Sequence, residues 1–242
     1  MALHFLDESS SGAVVGDTVT LTGAEAKHAA VVRRLRVGES VTVGDGAGVW
    51  LDGVVEDVSP TRVEVRVVQR ASETAPTPRI VLAQALAKGD RDELAVQAAC
   101  ELGVDEIIPW QASRSVSRWE GVKAIKGRER WASIVREAAK QAHRAWVPEV
   151  YAPVTTKELA VRASQQRVLL LDPTAPSRLS GLTPDGRDIV LVVGPEGGIS
   201  EDELSRLVEA GAERVLLGST VLRTSTAGPA AIAVLSAALG RW

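Results

Sequence analysis

The sequence predicts an α/β protein in two parts, a small β-barrel followed by a larger domain with a parallel sheet. Three observations predict this. Residues 1–70 hold short apolar–polar alternations punctuated by glycine, the period-2 pattern of half-buried strands. From residue 80 onward, apolar runs such as Ile80 to Ala85 and Ile189 to Val193 alternate with helix-length segments. That is the pattern of a parallel sheet covered on both faces. Between the two lies Ala71 to Pro78, with two prolines and no large apolar side chain, which reads as a linker. The division falls at 1–72 and 73–242.

In the first part, Val14 to Leu21 and Val41 to Val43 read as strands, separated by a helix over Ala24 to Leu35 with Thr22 as its N-cap. The run Gly44-Asp45-Gly46-Ala47-Gly48 is a turn leading into a strand over Val49 to Val58. Ser59-Pro60 separates that strand from another over Arg62 to Val68. Strands this short and evenly spaced suggest a small barrel. In the second part, strands are expected at Ile80 to Ala85, Ile107 to Trp110, Arg167 to Leu171, Asp188 to Val193 and Glu213 to Leu217. Helices are expected at Asp90 to Leu102, Lys126 to Arg144, Ser200 to Ala210 and Pro229 to Leu239. Ser200 and Glu203 form the S-x-x-E pattern of a capping box.

Composition narrows the function classes. Apolar residues make up 45% and charged residues 24%, which excludes a wholly disordered chain. The apolar runs fall far short of a membrane span, and Asp7 and Glu8 stand where a signal peptide has its apolar core, so a cytoplasmic protein is expected. One cysteine and three histidines far apart in sequence point to no metal site. The net charge of −3 carries no global sign of nucleic-acid binding. Residues 113–146, however, carry nine basic side chains against three acidic ones, an excess that suits phosphate contacts as well as a solvated helix face. Three tryptophans (Trp119, Trp131, Trp146) lie in the same stretch; core positions are expected for Trp131 and Trp146.

Two loops carry the chemistry. Val193-Gly194-Pro195-Glu196-Gly197-Gly198 follows a strand and precedes a helix. Leu217-Gly218-Ser219-Thr220-Val221-Leu222-Arg223-Thr224-Ser225-Thr226-Ala227 also follows a strand and precedes a helix. Glycine lets backbone groups approach a ligand closely, and ligands of open α/β sheets bind beyond the carboxyl ends of the strands. Neither loop has the lysine and hydroxyl of a nucleotide P-loop. Arg223 stands alone among apolar and hydroxyl residues, placed to hold an anion or to satisfy loop carbonyls.

These two segments, in this order, resemble the paired signatures of the RsmE family. That family comprises SPOUT-class methyltransferases acting on N3 of a uridine in small-subunit ribosomal RNA. The resemblance runs along nearly the whole chain, through Glu25, His28, Leu35, Arg36 and Asp45-Gly46. It continues through Lys88-Gly89, Glu93, Gln97 and Glu101 to Val104, then Glu129-Arg130, Glu137-Ala138, Gln141, Arg144 and Pro148. Three positions depart from the pattern: Ser225 stands where a glutamate is usual, Ala98 where a lysine is usual, and Lys140 where an acid is frequent.

The resemblance implies a PUA-like β-barrel before a SPOUT α/β domain with a deep trefoil knot, assembled as a homodimer. It implies S-adenosyl-L-methionine (AdoMet) as cofactor, held by Leu171, Asp172, Pro173, Gly194, Pro195, Glu196, Gly197, Leu217, Gly218, Leu222, Arg223, Thr224, Thr226 and Ala227. Arg223 is then the expected stabiliser of charge on the uracil, and Glu196 the nearest candidate base. The expected partner is small-subunit ribosomal RNA in the 30S subunit, with neither DNA nor membrane. RNA contacts are expected from His28, Arg33, Arg36, Lys88, Arg114, Arg118, Arg130, Arg136 and Arg144. A related enzyme for another RNA, and a non-catalytic assembly factor, are the alternatives.

Overall fold

The computed structural model describes residues 2–242, which form two compact units. The first comprises the chain through Ala75 together with Ala139–Val147; the second comprises Pro76–Ala138 and Pro148–Trp242. The stretch 139–147 lies beyond the linker in sequence yet clusters with the first unit.

The first unit is a five-stranded curled sheet of β1 (Leu3–Leu6), β2 (Thr18–Thr22), β3 (Ser40–Gly44), β4 (Val49–Ser59) and β5 (Arg62–Ser72). The order is β1-β3-β4-β5-β2, with β1 parallel to β3 and the other pairs antiparallel. The ladder ends at β1 and β2, so the expected barrel is a mixed sheet that curls around its core. Phe5 from one edge and Val19 and Leu21 from the other share that core with Leu51, Val55, Val63 and Val65.

Three local expectations for this unit change. The strand expected over Val14 to Leu21 is β2 and starts at Thr18, because Gly16 turns the chain at φ +96° and leaves Val14 and Val15 exposed. The helix is short, α1 (Gly23–Lys27), and widens into a π-turn over His28–Val32, with Arg33 N–H reaching His28 O at 2.9 Å. Thr22 occupies the N-cap position, but its side chain makes no capping bond.

The glycine turn 44–48 has a packing cause. Gly48 has φ +104°, and a Cβ there would stand 2.5 Å from Glu73 O and 2.8 Å from the Trp146 indole. Trp146 lies against this turn, half-buried, and its Nε1 donates to Glu73 O at 3.0 Å. Gly48 N–H donates to Ala145 O, and Val147 N–H to Gly46 O. Lys140, buried, pairs with Glu25 at 2.9 Å. These contacts anchor 139–147 in the first unit.

The second unit is a seven-stranded, wholly parallel sheet of β6 (Ile80–Ala85), β7 (Glu106–Trp110), β8 (Glu149–Val150), β9 (Arg167–Leu171), β10 (Ser177–Arg178), β11 (Ile189–Val193) and β12 (Glu213–Leu216). Its order is β10-β12-β9-β11-β6-β7-β8. Every residue of β6 and β11 is buried, as expected of central strands covered on both faces. The helices are α2 (Arg91–Glu101), α3 (Val122–Gln141), α4 (Thr156–Arg162), α5 (Glu201–Glu209) and α6 (Thr224–Ala238). The two-residue strands β8 and β10 are too short for a periodic signal. Helix α4 was not expected from the sequence; it opens on a capping box in which Thr155 and Glu158 bond reciprocally. Helix α3 spans 122–141 instead of 126–144, following Gly121 at φ +52° and ending before His143 at φ +53°. Trp131 is 1% exposed and meets Trp119 edge-on at 5.1 Å. Helix α6 starts five residues before Pro229, because Thr224 is already fixed by contacts outside the helix.

Candidate functional site

All seven strands of the second sheet are parallel, so the loops after β9, β11 and β12 leave from the same edge, the place where open α/β sheets bind ligands. There they enclose a cavity of about 480 Å³. Its walls include Leu171, Asp172 and Pro173 after β9, Gly194, Pro195 and Glu196 after β11, and Leu222, Arg223, Thr224 and Ala227 at the start of α6. A smaller cleft beside it adds Leu217 and Gly218 to Leu171, Asp172, Pro173, Leu222 and Ala227. Twelve of the fourteen expected cofactor residues therefore converge on one place. Of the other two, Gly197 faces Arg114, whose Nη1 donates to its carbonyl at 2.9 Å, and Thr226 is exposed on the first turn of α6.

The loops are held by buried bonds. Thr224 Oγ1 donates to Gly194 O at 2.9 Å and accepts from Gln84 Nε2 at 2.9 Å, which ties α6 and the β11 loop to the end of β6. Gly194 fits only as glycine, since a Cβ would stand 2.8 Å from Ile199 Cγ1. Asp172 Oδ1 accepts from the Thr174 amide and hydroxyl, and Oδ2 from Arg214 Nε at 2.6 Å. Burial alone would raise the Asp172 pKa, but the Thr174 and Arg214 bonds outweigh it and leave it below the usual value. Asp172 therefore shapes the β9 loop as a fixed anion.

Glu196 Oε1 accepts from the Lys88 amide at 3.2 Å and from Arg91 Nη1 at 2.9 Å. Burial opposes ionisation here too, and backbone bonds with the Arg91 guanidinium override it, so the Glu196 pKa is lowered. A carboxylate held in that way is a weak proton acceptor. Arg223 sits at the N-cap of α6, exposed and facing the cavity, with no side-chain partner among the described residues.

The expected RNA-binding residues divide in two. Arg33, Arg36, Lys88, Arg114 and Arg118 are exposed. Arg118 Nη2 donates to Ser113 O at 3.0 Å. His28 is half-buried and meets Phe5 edge-on. Arg130 forms a two-bond ion pair with Glu93. Arg136 and Arg144 are half-buried with bonds of their own. The basic excess over 113–146 is thus partly spent on internal pairs.

Sequence reasoning missed Arg91, Val221, Ile199 and Leu204 on the cavity wall. It also missed the wider use of Glu203. Beyond its capping box, Glu203 accepts from the Ser113 amide and hydroxyl and from Thr156 Oγ1. Nothing in the spacing of these residues marks such pairings.

An RNA methyltransferase domain model matches residues 73–236, and an RNA methyltransferase PUA domain model matches 21–68. The chain is 40% identical over 233 residues to the ribosomal RNA small subunit methyltransferase E of Mycobacterium bovis, covering 94% of this chain and 89% of that protein. The chain belongs to the small-subunit methyltransferase E family. The Bacillus subtilis methyltransferase E is 31% identical, over 98% of this chain and 96% of its own. The crystal structure of methyltransferase E from Neisseria gonorrhoeae bound to S-adenosyl methionine superposes with a TM-score of 0.89, at 30% identity over 98% of both chains. A methyltransferase from Legionella pneumophila in complex with the same cofactor has a TM-score of 0.88, at 29% identity over 98% of both chains. The RNA methyltransferase match over residues 73–236 takes in every loop around the cavity.

Proposed function

We propose that this chain methylates N3 of a uridine in small-subunit ribosomal RNA, using S-adenosylmethionine. The observation that carries the reading is the cavity at the carboxyl ends of β9, β11 and β12, with an unpartnered arginine on its wall. Its size lies in the range of about 300–1,000 Å³ usual for small-molecule sites. The residues fit the cofactor. Leu171, Val193, Ile199, Leu222 and Ala227 offer apolar walls for an adenosyl group, and Gly194, with no room for a Cβ, brings its backbone to the cavity. When bound, the cofactor supplies an electrophilic methyl group.

The chain's own task is to prepare the acceptor. The N3 nitrogen of uracil is an imide, protonated at neutral pH, and its negative charge spreads onto the carbonyl oxygens as the proton leaves. Arg223 is placed to stabilise that charge as an oxyanion hole does. The loops fix the geometry of attack, which itself lowers the barrier. Exposed Arg33, Arg36, Lys88 and Arg118 are available to phosphates. To this reading belong the assembled 30S subunit as substrate, the cytoplasm as location, a knotted SPOUT domain and a homodimer. Helix α6, with Ala230 and Val234 only half-buried on a mostly apolar helix, supports a subunit contact.

The test is methyl transfer from labelled cofactor to small subunits of cells lacking this gene, with nucleosides identified by mass spectrometry. N3-methyluridine is expected; another methylated nucleoside, or none, overturns the reading. In single turnover at saturating cofactor, Arg223→Ala is expected to be slower by about 10²-fold, the usual cost of one oxyanion donor. A rate near wild type would remove Arg223 from the chemistry.

A further inference from the structure

We propose that Arg91 is a second catalytic cation, serving the uracil oxygen that Arg223 leaves free, and that Glu196 is its positioning residue. The inference rests on the methyltransferase reading above. Two guanidiniums on the cavity wall come from different elements, Arg91 at the first position of α2 and Arg223 at the N-cap of α6. An imide anion has two oxygens, O2 and O4, on either side of N3. One arginine can serve one of them, and the cavity offers a second.

The contacts of Glu196 suit an anchor better than a base. Its Oε1 accepts from Arg91 Nη1 at 2.9 Å and from the Lys88 amide at 3.2 Å, so carboxylate and guanidinium orient each other. The pair occupies one of the five N–H donors of Arg91. The Arg91 side chain remains 46% exposed, with donors left for an incoming carbonyl. Of the other carboxylates on the wall, Asp172 after β9 is already taken by Arg214 and Thr174, and Glu201 opens α5 exposed to solvent. The N3 proton leaves to solvent, with Glu196 and Asp172 both committed to other bonds. The N3–H bond breaks, the N3 lone pair forms the new N–C bond, and the methyl–sulfur bond breaks with its electron pair going to sulfur. The two arginines hold the anion that this sequence requires.

The experiment is the pH profile of single-turnover methyl transfer to small subunits, for wild type, Arg91→Ala, Arg91→Lys and Glu196→Gln. The wild-type rate is expected to rise with pH and level off where the bound imide ionises. Arg91→Ala is expected to level off about one pH unit higher and to run about tenfold slower at neutral pH, one unit being tenfold. Arg91→Lys, which keeps the cation, should fall between the two, and Glu196→Gln should shift part of the way toward Arg91→Ala. Subunits carrying 5-fluorouridine, whose imide is more acidic, should speed Arg91→Ala more than wild type. An Arg91→Ala profile with the wild-type inflection and an equal response to fluorine overturns the proposal, whatever its absolute rate. If Arg91→Ala fails to fold, the inflections of Arg91→Lys and Glu196→Gln decide, and wild-type inflections in both overturn it. A wild-type enzyme that yields no N3-methyluridine overturns the methyltransferase reading first and this inference with it.

Discussion

Arg223 was legible from sequence because it is the lone charge in a polar–glycine loop, and the structure puts it on the cavity wall without a partner. Arg91 was not legible, since an arginine at the start of a helix looks like a solvated charge until Glu196, over a hundred residues later, is seen beside it. His4 shows the same limit. It is buried, stacked on Trp50 at 4.2 Å, with Nδ1 bonded to Thr42 Oγ1. Burial first, then the charges of His143 and Lys140, push its pKa down to about 4. In the unfolded chain it titrates near its ordinary value of about 6.5. Between those values the unfolded state binds the extra proton, so stability falls as pH drops from about 6.5 to about 4 and levels off below. The contribution is on the order of 3 kcal/mol. His4→Phe keeps the stacking and removes the titration, so thermal unfolding across that range should lose part of its pH slope. An unchanged slope would assign the acid sensitivity elsewhere.

At the scale of elements, buried strands and strong caps were readable, and contact-defined ends were not. The strands Ile80–Ala85 and Arg167–Leu171 fall where the apolar runs placed them, because a central parallel strand is apolar along most of its length. Helix α5 begins after Ser200 as its capping box requires. Helix α6 does not begin at Pro229, because Gln84 and Gly194 fix Thr224 first. The glycine turn 44–48 reads as an ordinary hairpin signal, and its strictness comes from Trp146 packing on it from far along the chain. Gly48→Ala introduces a Cβ at φ +104° against Glu73 O and the indole. It should cost roughly 3 kcal/mol, at the upper end for overpacking, because the backbone conformation is unfavourable as well. Denaturant unfolding would register this as a lower midpoint, whereas a midpoint within error of wild type would show that Trp146 moves aside at little cost.

For the whole molecule, a net charge of −3 hides an uneven distribution. Exposed Arg33 and Arg36 have no side-chain partners among the described residues, whereas Arg130 is neutralised by Glu93 and Lys140 by Glu25. Arg33→Ala should lower the salt slope of 30S-subunit binding by about one phosphate contact. Arg130→Ala should leave the slope nearly unchanged. Filter binding over a range of ionic strength measures both, and equal slopes for wild type and Arg33→Ala would place the RNA on another face. Among the described residues no helix is long and apolar enough to cross a membrane.

The sequence by itself determined the α/β class, the central strands, and the two loops that close the cavity. Each of those is written locally, in apolar runs, caps and glycines, where a residue's neighbours in sequence are also its physical context. Only the tertiary structure decided that 139–147 belongs with the first unit, that Glu196 holds Arg91, and that the β1–β2 sheet curls as an open ladder. Those outcomes depend on groups tens to more than a hundred residues apart. Their charge pairing, indole packing and strand order are set by the whole folded chain, and no local pattern encodes them.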